Sequence, residues 1–206
     1  MNQVKDKWRN REYLDSVAGC VDSIVAGRAV IEHVDLSGIV IGPGAVLNEL
    51  KAVNLFESEL RGVDLSGSKI SGSLSDSVFV GVNFERASLD RALMCNVEMK
   101  GCDFSKSRLL INMDDAVCED TAFVRARFLG GGSGVEYGGR RVTFIGCDFT
   151  EAVFDRVEFR ASKFVECTFT GAAFKRCDFR GVKFQGGILP FAHQFESMDV
   201  PDVGLR

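Results

Sequence analysis

The sequence predicts a β-structure that winds into a stack of short four-sided coils, and three observations predict it. An apolar residue recurs at every fifth position over most of the chain. A small or thin residue usually stands two positions before it, and Asp, Asn and Gly are common beside it. A period of five matches neither the 3.6-residue turn of an α-helix nor the two-residue alternation of a β-strand.

The five-residue spacing passes through 30 positions, every one apolar, and takes 14 of the 17 Phe. Its most regular part is a run of nine Phe, which we predict to form the structural core. The run consists of Phe144, Phe149, Phe154, Phe159, Phe164, Phe169, Phe174, Phe179 and Phe184. Three steps are one residue short, from 46 to 50, from 70 to 74 and from 109 to 113, and we interpret them as tightened faces or small bends.

Each five-residue unit predicts a short straight face followed by a tight corner. Two of its side chains point inward, one large and one small, while three face solvent, and Gly, Asp and Asn suit the corner. Such a unit cannot bury its inner face alone, so successive coils must stack and form hydrogen bonds with each other. Four corners give about 20 residues per coil, and at roughly 4.8 Å per layer the stack is a rod on the order of 36 Å long.

Several five-residue segments carry the same pattern of a small residue, Asp, and Leu or Phe. They include "VDLSG" at 63–67, "CDFSK" at 102–106, "CDFTE" at 147–151 and "CDFRG" at 177–181. In this pattern the chain resembles the pentapeptide-repeat family over residues 29–186. The resemblance implies an all-β fold, namely a right-handed quadrilateral β-helix (β-solenoid) of about 7–8 coils with a short N-terminal capping helix.

Residues 1–28 are expected to form a helical cap and the entry into the coils. Val4, Trp8, Leu14 and Val17 would lie roughly on one face of a helix. Stacked repeats need a terminal unit of this kind, because the first coil otherwise exposes its inner layer.

Residues 187–206 leave the five-residue spacing and are expected to form a C-terminal cap or tail. Phe191 and Phe195 stand four positions apart and suggest a short turn of helix over the last coil. A second interpretation makes this tail the contact of a dimer. Both a monomer and a C-terminal-mediated homodimer are therefore compatible with the sequence.

One step is far longer than five residues, from Phe128 to Phe144, and it contains six Gly. We predict that residues 129–143 form an extruded Gly-rich loop and that this loop is the candidate partner-binding segment. Its candidate binding residues are Gly130, Gly131, Gly132, Ser133, Glu136, Tyr137, Arg140 and Arg141. A plain flexible spacer is the alternative. The segment lacks the GK[ST] ending of a phosphate-binding loop.

The seven Cys do not predict a metal site. Cys102, Cys147, Cys167 and Cys177 fall on the small inward position of a unit, where Cys acts as a small apolar residue. Their spacing matches no zinc motif, and the only two His stand near opposite ends of the chain. No metal ion and no other cofactor are expected.

A catalytic site is not expected either, and we predict that the chain is not an enzyme. Nucleophilic catalysis needs a base beside the nucleophile, and the inward thiols have no such neighbour. The densest group of carboxylates consists of Asp114, Asp115, Glu119 and Asp120. General acid–base work would require one of them in an apolar cleft, whereas we expect all four on a solvated face.

The N-terminus, "MNQVKDKWRNREYLDS", is charged and contains no apolar signal segment. No apolar run reaches the length of a membrane span. The Cys number is odd and no CxxC pair occurs. We therefore expect a cytoplasmic protein with reduced thiols.

Two functions are compatible with these features. The first is a non-catalytic protein-binding scaffold or antagonist, whose rigid β-helix surface and extruded loop dock on a partner protein. Regular columns of outward side chains would meet the partner without a large ordering cost. The partner is expected to be a protein, with no direct binding of nucleic acid or membrane, because the net charge of −4 is small.

The second function is implied by the resemblance. Qnr-type quinolone-resistance proteins and related self-immunity factors are family members held to imitate duplex DNA when they bind DNA gyrase or topoisomerase IV. On this hypothesis the chain is a DNA-mimicking modulator of those enzymes that gives fluoroquinolone resistance or self-immunity. The chain departs from that pattern in its small net charge and in residues 140–184, where nine Lys and Arg stand against six Asp and Glu. Its tail also lacks a long apolar helix.

Overall fold

The chain folds into a parallel β-solenoid, as the five-residue spacing predicts, and the computed structural model shows its coils stacked in register. The structure describes residues 6–42, 46–47, 50–51, 55–131 and 137–201. We name the four straight segments of a coil face 1 to face 4 in chain order, with coil 1 beginning at Val30. The face-1 sheet contains eight strands, which correspond to seven coils and part of an eighth.

Face 1 is an eight-stranded parallel sheet. Its strands are β1 (Val30–Glu32), β5 (Glu59–Arg61), β7 (Val78–Val80), β9 (Glu98–Lys100), β11 (Val117–Glu119), β14 (Thr143–Ile145), β17 (Lys163–Val165) and β19 (Lys183–Gln185). The central residue of each strand points inward and its two neighbours point outward, as in the burial of β1, where Ile31 alone is buried.

Face 3 is the second large parallel sheet. Its strands are β2 (Val40–Ile41), β6 (Lys69–Ser73), β8 (Ser88–Leu93), β10 (Arg108–Asn112), β12 (Arg127–Leu129), β15 (Val153–Asp155), β18 (Ala173–Lys175) and β20 (Phe195–Glu196). Two further strands, β13 (Tyr137–Gly138) and β16 (Val157–Glu158), extend this sheet around the corner onto face 4.

Faces 2 and 4 are narrower than the two sheets. Face 2 is held by single bridges between coils, from Asp35↔Asp64 at one end to Thr168↔Ile188 at the other. On face 4 the inward positions form one column along the rod. The column consists of Leu55, Leu74, Met94, Met113, Gly139, Phe159 and Phe179.

The predicted coil length of 20 residues is confirmed where the Phe run is continuous. Thr143 pairs with Lys163, and Lys163 pairs with Lys183. Two earlier coils contain 19 residues, as in the pairing of Glu59 with Val78. These coils contain the short steps at 70–74 and 109–113, where β6 and β10 are five residues long and run around the corner between faces 3 and 4.

Coil 1 differs from the expectation. Val30 pairs with Glu59, which lies 29 residues further along the chain. The additional residues include β3 (Val46–Leu47) and β4 (Leu50–Lys51), which pair antiparallel with each other. The expectation that positions 46 and 50 are inward coil positions is therefore wrong. They belong to a hairpin inserted between faces 3 and 4.

The core of the rod is a set of stacked Phe rings. The ring of Phe164 lies between those of Phe144 and Phe184, at centroid distances of 4.8 and 5.1 Å. Rings on different faces meet edge to face, as Phe144 and Phe159 do at 5.7 Å. Eight of the nine predicted core Phe are buried, and Phe184 in the last coil is half-buried. Both ring arrangements are favourable for aromatic side chains.

The N-terminal end is covered by helix α1 (Arg11–Ala26), whose Val17, Val21 and Ile24 are buried. Asn10 caps this helix by accepting a hydrogen bond from a backbone N–H. The predicted cap is present, but it is not one continuous helix, because Asp6 and Lys7 are also helical and residues 8–10 interrupt the helical path. Trp8 precedes α1 and donates from Nε1 to the Ser37 carbonyl at 2.8 Å. Val4 lies outside the described residues.

The C-terminal end is closed by a segment that returns to the stack. A 3-10 helix, Ala192–Gln194, lies between the two Phe of the tail. Phe195 then enters β20 and stacks on Phe174 at 4.7 Å, so it rejoins the core, whereas Phe191 is 60% exposed. Gln194 is buried and donates to the carbonyls of Phe169 and Ala172 at 3.0 and 2.6 Å.

No helix in the described part of the chain is long and apolar enough to cross a membrane.

Candidate partner-binding surface

The extruded segment leaves the rod at the corner between faces 3 and 4 of coil 5. The chain exits after β12, whose Phe128 pairs with Phe154, and returns as β13, whose Gly138 pairs with Glu158. Residues 137–143 are therefore part of the coil, and the predicted loop boundary of 129–143 is too wide. Gly130 and Gly131 lie at the exit, while Gly132, Ser133 and Glu136 lie outside the described residues.

Three Gly at the ends of this segment make close backbone contacts. A Cβ atom on Gly130 would lie 2.0 Å from the Arg156 carbonyl oxygen, and one on Gly138 would lie 2.0 Å from the Glu158 carbonyl oxygen. Gly139 occupies the inward position that Met113 and Phe159 hold in neighbouring coils. Gly is thus required where the chain re-enters the rod, because a side chain has no space there.

Arg140 and Arg141, predicted as binding residues, lie on the coil and form ion pairs with it. Arg140 donates from its backbone N–H to Asp114 Oδ1 at 2.8 Å and from Nε to Glu158 Oε1 at 2.5 Å. Arg141 Nε donates to Asp115 Oδ1 at 2.6 Å. These contacts fix the root of the extruded segment to coils 4 and 6. Tyr137 is half-buried in β13 beside them.

Face 4 continues from this root as a ladder of alternating charges. The ladder consists of Arg140, Glu158, Arg160, Asp178 and Arg180. Arg160 Nε lies 3.4 Å from Glu158 Oε1 and 2.8 Å from Asp178 Oδ2. Arg180 Nη2 lies 2.6 Å from the same Asp178 oxygen. This ladder was not predicted from the sequence, although Arg at positions 140, 160 and 180 recurs at the coil length.

The ion pairs shift the pKa of their members in the expected directions. Hydrogen bonds from Arg180 and then Arg160 lower the pKa of Asp178 below its ordinary value. A hydrogen bond from Arg141 lowers the pKa of Asp115. Hydrogen bonds to Glu158 and Asp115 raise the pKa of Arg140 and Arg141, respectively. All these groups are therefore charged at neutral pH.

A small polar cavity of about 260 Å³ lies at the root of the extruded segment on face 4. Its walls include Asn112, Asp114, Tyr137, Arg140 and Glu158. Both carboxylates accept hydrogen bonds from Arg140, Asp114 from its backbone N–H and Glu158 from its guanidinium, so one guanidinium stands against two carboxylates in this cavity.

Face 2 carries a column of acidic residues along the rod. The column contains Asp35, Asp64, Asn83, Asp103 and Asp148 and is interrupted by Ala122. Each side-chain oxygen accepts a hydrogen bond from the backbone N–H two residues later, at 2.7–2.9 Å. These residues stabilise the turn that follows them. Asn83 shows that an amide can take the same structural place.

The inward Cys lie where the spacing placed them. Cys102, Cys147, Cys167 and Cys177 are buried, with their thiols 3.3–3.6 Å from backbone carbonyl oxygens of the preceding coil. Among the described residues, no group of three or more His, Cys, Asp or Glu is arranged to hold a metal ion. Of the predicted carboxylate group, Asp114 and Asp115 contact the extruded segment's root, whereas Glu119 pairs with Lys100 on face 1 at 3.2 Å.

Two models of known protein families match this repeat. One, described as a pentapeptide repeat region, matches residues 140–203, and the other, described as pentapeptide repeats (8 copies), matches residues 73–109. Both matched segments consist of pentapeptide repeats. A search among curated protein sequences finds no match to this pentapeptide-repeat protein.

Solved structures of other pentapeptide-repeat proteins are similar to it at low identity. A trypsin-treated variant of QnrB1, a plasmid-mediated fluoroquinolone resistance protein, aligns with a TM-score of 0.63 and 17% identity, covering 77% of this chain and 74% of that one. Full-length QnrB1 aligns with a TM-score of 0.35 and 15% identity over 83% of this chain and 94% of that one. HetL from the cyanobacterium Nostoc has a TM-score of 0.22 and 12% identity over 78% and 84%. The first of these similarities supports the fold.

Proposed function

We propose that this pentapeptide-repeat protein is a non-catalytic scaffold or antagonist that docks on a partner protein through its β-helix surface and the extruded segment. The observation that carries the proposal is the way this segment is anchored. Both of its ends lie in parallel strands, β12 and β13, that pair with coils on either side. Binding loops are typically presented by a rigid scaffold of this kind.

The rod supports docking because several of its outward side chains are paired between coils. Ion pairs between coils hold Arg125 to Glu151 at 2.7 Å and Lys106 to Glu85 at 2.8 Å. A partner that meets such columns orders few new side chains, and so loses less conformational entropy on binding. The distance of about 4.8 Å between layers sets the spacing that the contacting groups of the partner must match.

The proposal is tested by changing the chemistry of the segment while keeping its length. Val135→Ser with Glu136→Ser removes its apolar and acidic side chains. The partner is first identified by crosslinking to the wild-type protein, and its Kd is then measured for both proteins by calorimetry. We expect the double variant to weaken binding by about tenfold, which corresponds to 1.4 kcal/mol.

The matched control makes the same two chemical changes on face 1, in the variant Val165→Ser with Glu98→Ser. It should leave the Kd of the partner unchanged. Equal Kd values for the wild-type protein and the segment variant would mean that the segment is a spacer and would overturn its proposed role.

A second candidate function is modulation of DNA gyrase or topoisomerase IV, with the rod imitating duplex DNA. It is favoured by the likeness to QnrB1, whose fold this chain shares, and by the acidic column of face 2. Asp64, Asp103 and Asp148 place carboxylates along one side of the rod, as a phosphate backbone would. Quinolone resistance or self-immunity would then follow from competition with DNA for the enzyme.

The gyrase candidate is tested by measuring supercoiling with and without a quinolone in the presence of the purified protein. If the candidate is right, the protein relieves quinolone inhibition or itself inhibits supercoiling. The triple variant Asp64→Asn, Asp103→Asn, Asp148→Asn should abolish the effect while keeping the turn hydrogen bonds that Asn83 also makes. The control triple variant Asp76→Asn, Asp90→Asn, Asp120→Asn removes the same charge elsewhere. No effect of the wild-type protein at micromolar concentration would exclude this candidate.

A further inference from the structure

Face 3 and the two corners beside it concentrate basic side chains, although the whole chain has a net charge of −4. In coils 2 to 7 its ten outward Lys and Arg are Lys69, Arg86, Arg91, Lys106, Arg108, Arg125, Arg127, Arg156, Lys175 and Arg176. Five carboxylates reach them, namely Glu85, Asp90, Glu151, Asp155 and Glu196. The fold thus collects positive charge that is dispersed along the sequence, and we call this surface the basic face.

Three cations of the basic face have no counter-ion in the part of the chain that the structure describes. Lys69, Arg108 and Arg127 are exposed, and none has an acidic partner within 4.0 Å among the residues that the structure describes. Arg108 and Arg127 are direct register partners in β10 and β12. Like charges directly opposite each other in neighbouring strands are destabilising, so the folded protein retains an unfavourable pair at this place.

Two Leu lie beside this pair on the same strands. Leu110 in β10 and Leu129 in β12 stand two residues after Arg108 and Arg127. Leu110 is half-buried and adds a small apolar area beside the guanidinium groups, whereas Leu129 is buried. Arg next to apolar contact area is typical of the central part of protein–protein interfaces. The extruded segment leaves the rod directly after Leu129.

We propose that the basic face binds an acidic segment of a partner protein, whose carboxylates pair with Arg108 and Arg127 and whose apolar side chains contact Leu110. Guanidinium groups suit this role because they bind carboxylates in a bidentate geometry. Neighbouring coils are about 4.8 Å apart. Residues at positions i and i+4 of a helix are about 5–6 Å apart. Acidic residues at this spacing, on a helix that lies along the rod axis, would therefore stand opposite Arg108 and Arg127.

A nucleic acid fits this surface less well. A strand of three residues spans roughly 10 Å, which gives the width of face 3. The major groove of B-DNA is by itself about 12 Å wide, so a whole duplex is wider than this face. A duplex would extend over face 2 and bring its phosphates towards Asp64, Asp103 and Asp148. The described outward residues of face 3 also include no aromatic ring on which a single strand could stack.

This inference rests on the proposed function, since it specifies the chemistry of the docked partner. It concerns a different surface from the extruded segment, and its test uses a synthetic probe in place of the partner. The two can therefore fail separately. A spacer role for the segment leaves probe binding intact, whereas a basic face that binds no probe leaves the role of the segment intact.

The probe is a fluorescein-labelled amphipathic helix with Glu at i and i+4 and Leu on the adjoining stripe, and its binding is measured by fluorescence anisotropy at low salt. The test variant is Arg108→Gln with Arg127→Gln. The matched control is Lys163→Gln with Lys183→Gln, which removes another pair of cations in direct register, on face 1. We expect the test variant to weaken binding by about tenfold or more, because hydrogen bonds to charged groups contribute most, and the control to retain wild-type affinity.

Two further probes complete the experiment. A helix of the same design with Lys in place of Glu should not bind, and a duplex DNA should bind more weakly than the acidic helix. Equal loss of affinity in the test and control variants would mean that binding depends only on the net charge of the protein, and this result would overturn the proposal. Tighter binding of duplex DNA, or no binding of the acidic helix by the wild-type protein, would overturn it as well.

Discussion

The ring of Phe164 stacks on that of Phe144 with centroids 4.8 Å apart and planes 4° from parallel. A third ring, Phe184, lies on its other side at 5.1 Å. Phe164→Ala should lower the free energy of unfolding by about 3–5 kcal/mol, because it removes a buried ring and leaves a cavity that the rigid coils cannot close. Urea unfolding measures the loss. The control Phe191→Ala removes a ring that is 60% exposed and should change stability by no more than about 0.5 kcal/mol. A loss below about 1 kcal/mol for Phe164→Ala would contradict the stacked core.

Gly138→Ala should destabilise the protein much more than Gly101→Ala, although both Gly have a positive φ. At Gly138, with φ 125°, the new Cβ would lie 2.0 Å from the Glu158 carbonyl oxygen. At Gly101, with φ 61°, it would meet no heavy atom within 4 Å, and other corners carry non-Gly residues, such as Lys106 with φ 59°. We expect a difference in unfolding free energy of about 2 kcal/mol or more, since backbone atoms must move to admit the methyl group. Similar losses for the two variants would contradict the close contact at the re-entry point.

Much of the solenoid could be predicted because each inward position is tied to a fixed step along the chain. The hairpin in coil 1 could not be predicted, because Val46 and Leu50 are apolar and fit the same five-residue spacing. The inward position of Gly139 was not predicted for the opposite reason, since Gly has no apolar side chain by which the spacing could recognise it. The register of Arg108 with Arg127 follows from the short step at 109–113, because four units then span 19 residues and place Leu109 opposite Phe128.

The thiols are expected to react in two classes with a disulfide reagent such as Ellman's reagent. Cys20 and Cys95 are half-buried, whereas the other five are buried. Burial raises the pKa of Cys102 and of Cys177 to about 11 and raises that of Cys118 well above its ordinary value. Since the thiolate is the reactive form, two thiols should react in the folded protein at pH 8 and all seven after denaturation in guanidinium chloride. The variant Cys95→Ser should reduce the native count by one. More than two fast thiols in the native wild-type protein would contradict the buried core.

The ladder on face 4 predicts a pH-dependent contribution of Asp178 to stability. Hydrogen bonds from Arg180 and Arg160 lower its pKa in the folded state below the ordinary value of 3.8. A carboxylate with a depressed folded-state pKa stabilises the protein above its unfolded-state pKa, and this stability is lost as the pH falls through the folded-state value. Asp178→Asn should therefore lower the free energy of unfolding at pH 7, and the difference from wild type should shrink steadily below about pH 4. Thermal or urea unfolding between neutral and acidic pH measures this difference.

As control, Asp76→Asn removes a carboxylate that has no ion pair among the described residues, and it should lower the free energy of unfolding less at pH 7. A difference between Asp178→Asn and wild type that stays constant down to acidic pH would show that the ladder does not hold Asp178 in its charged form.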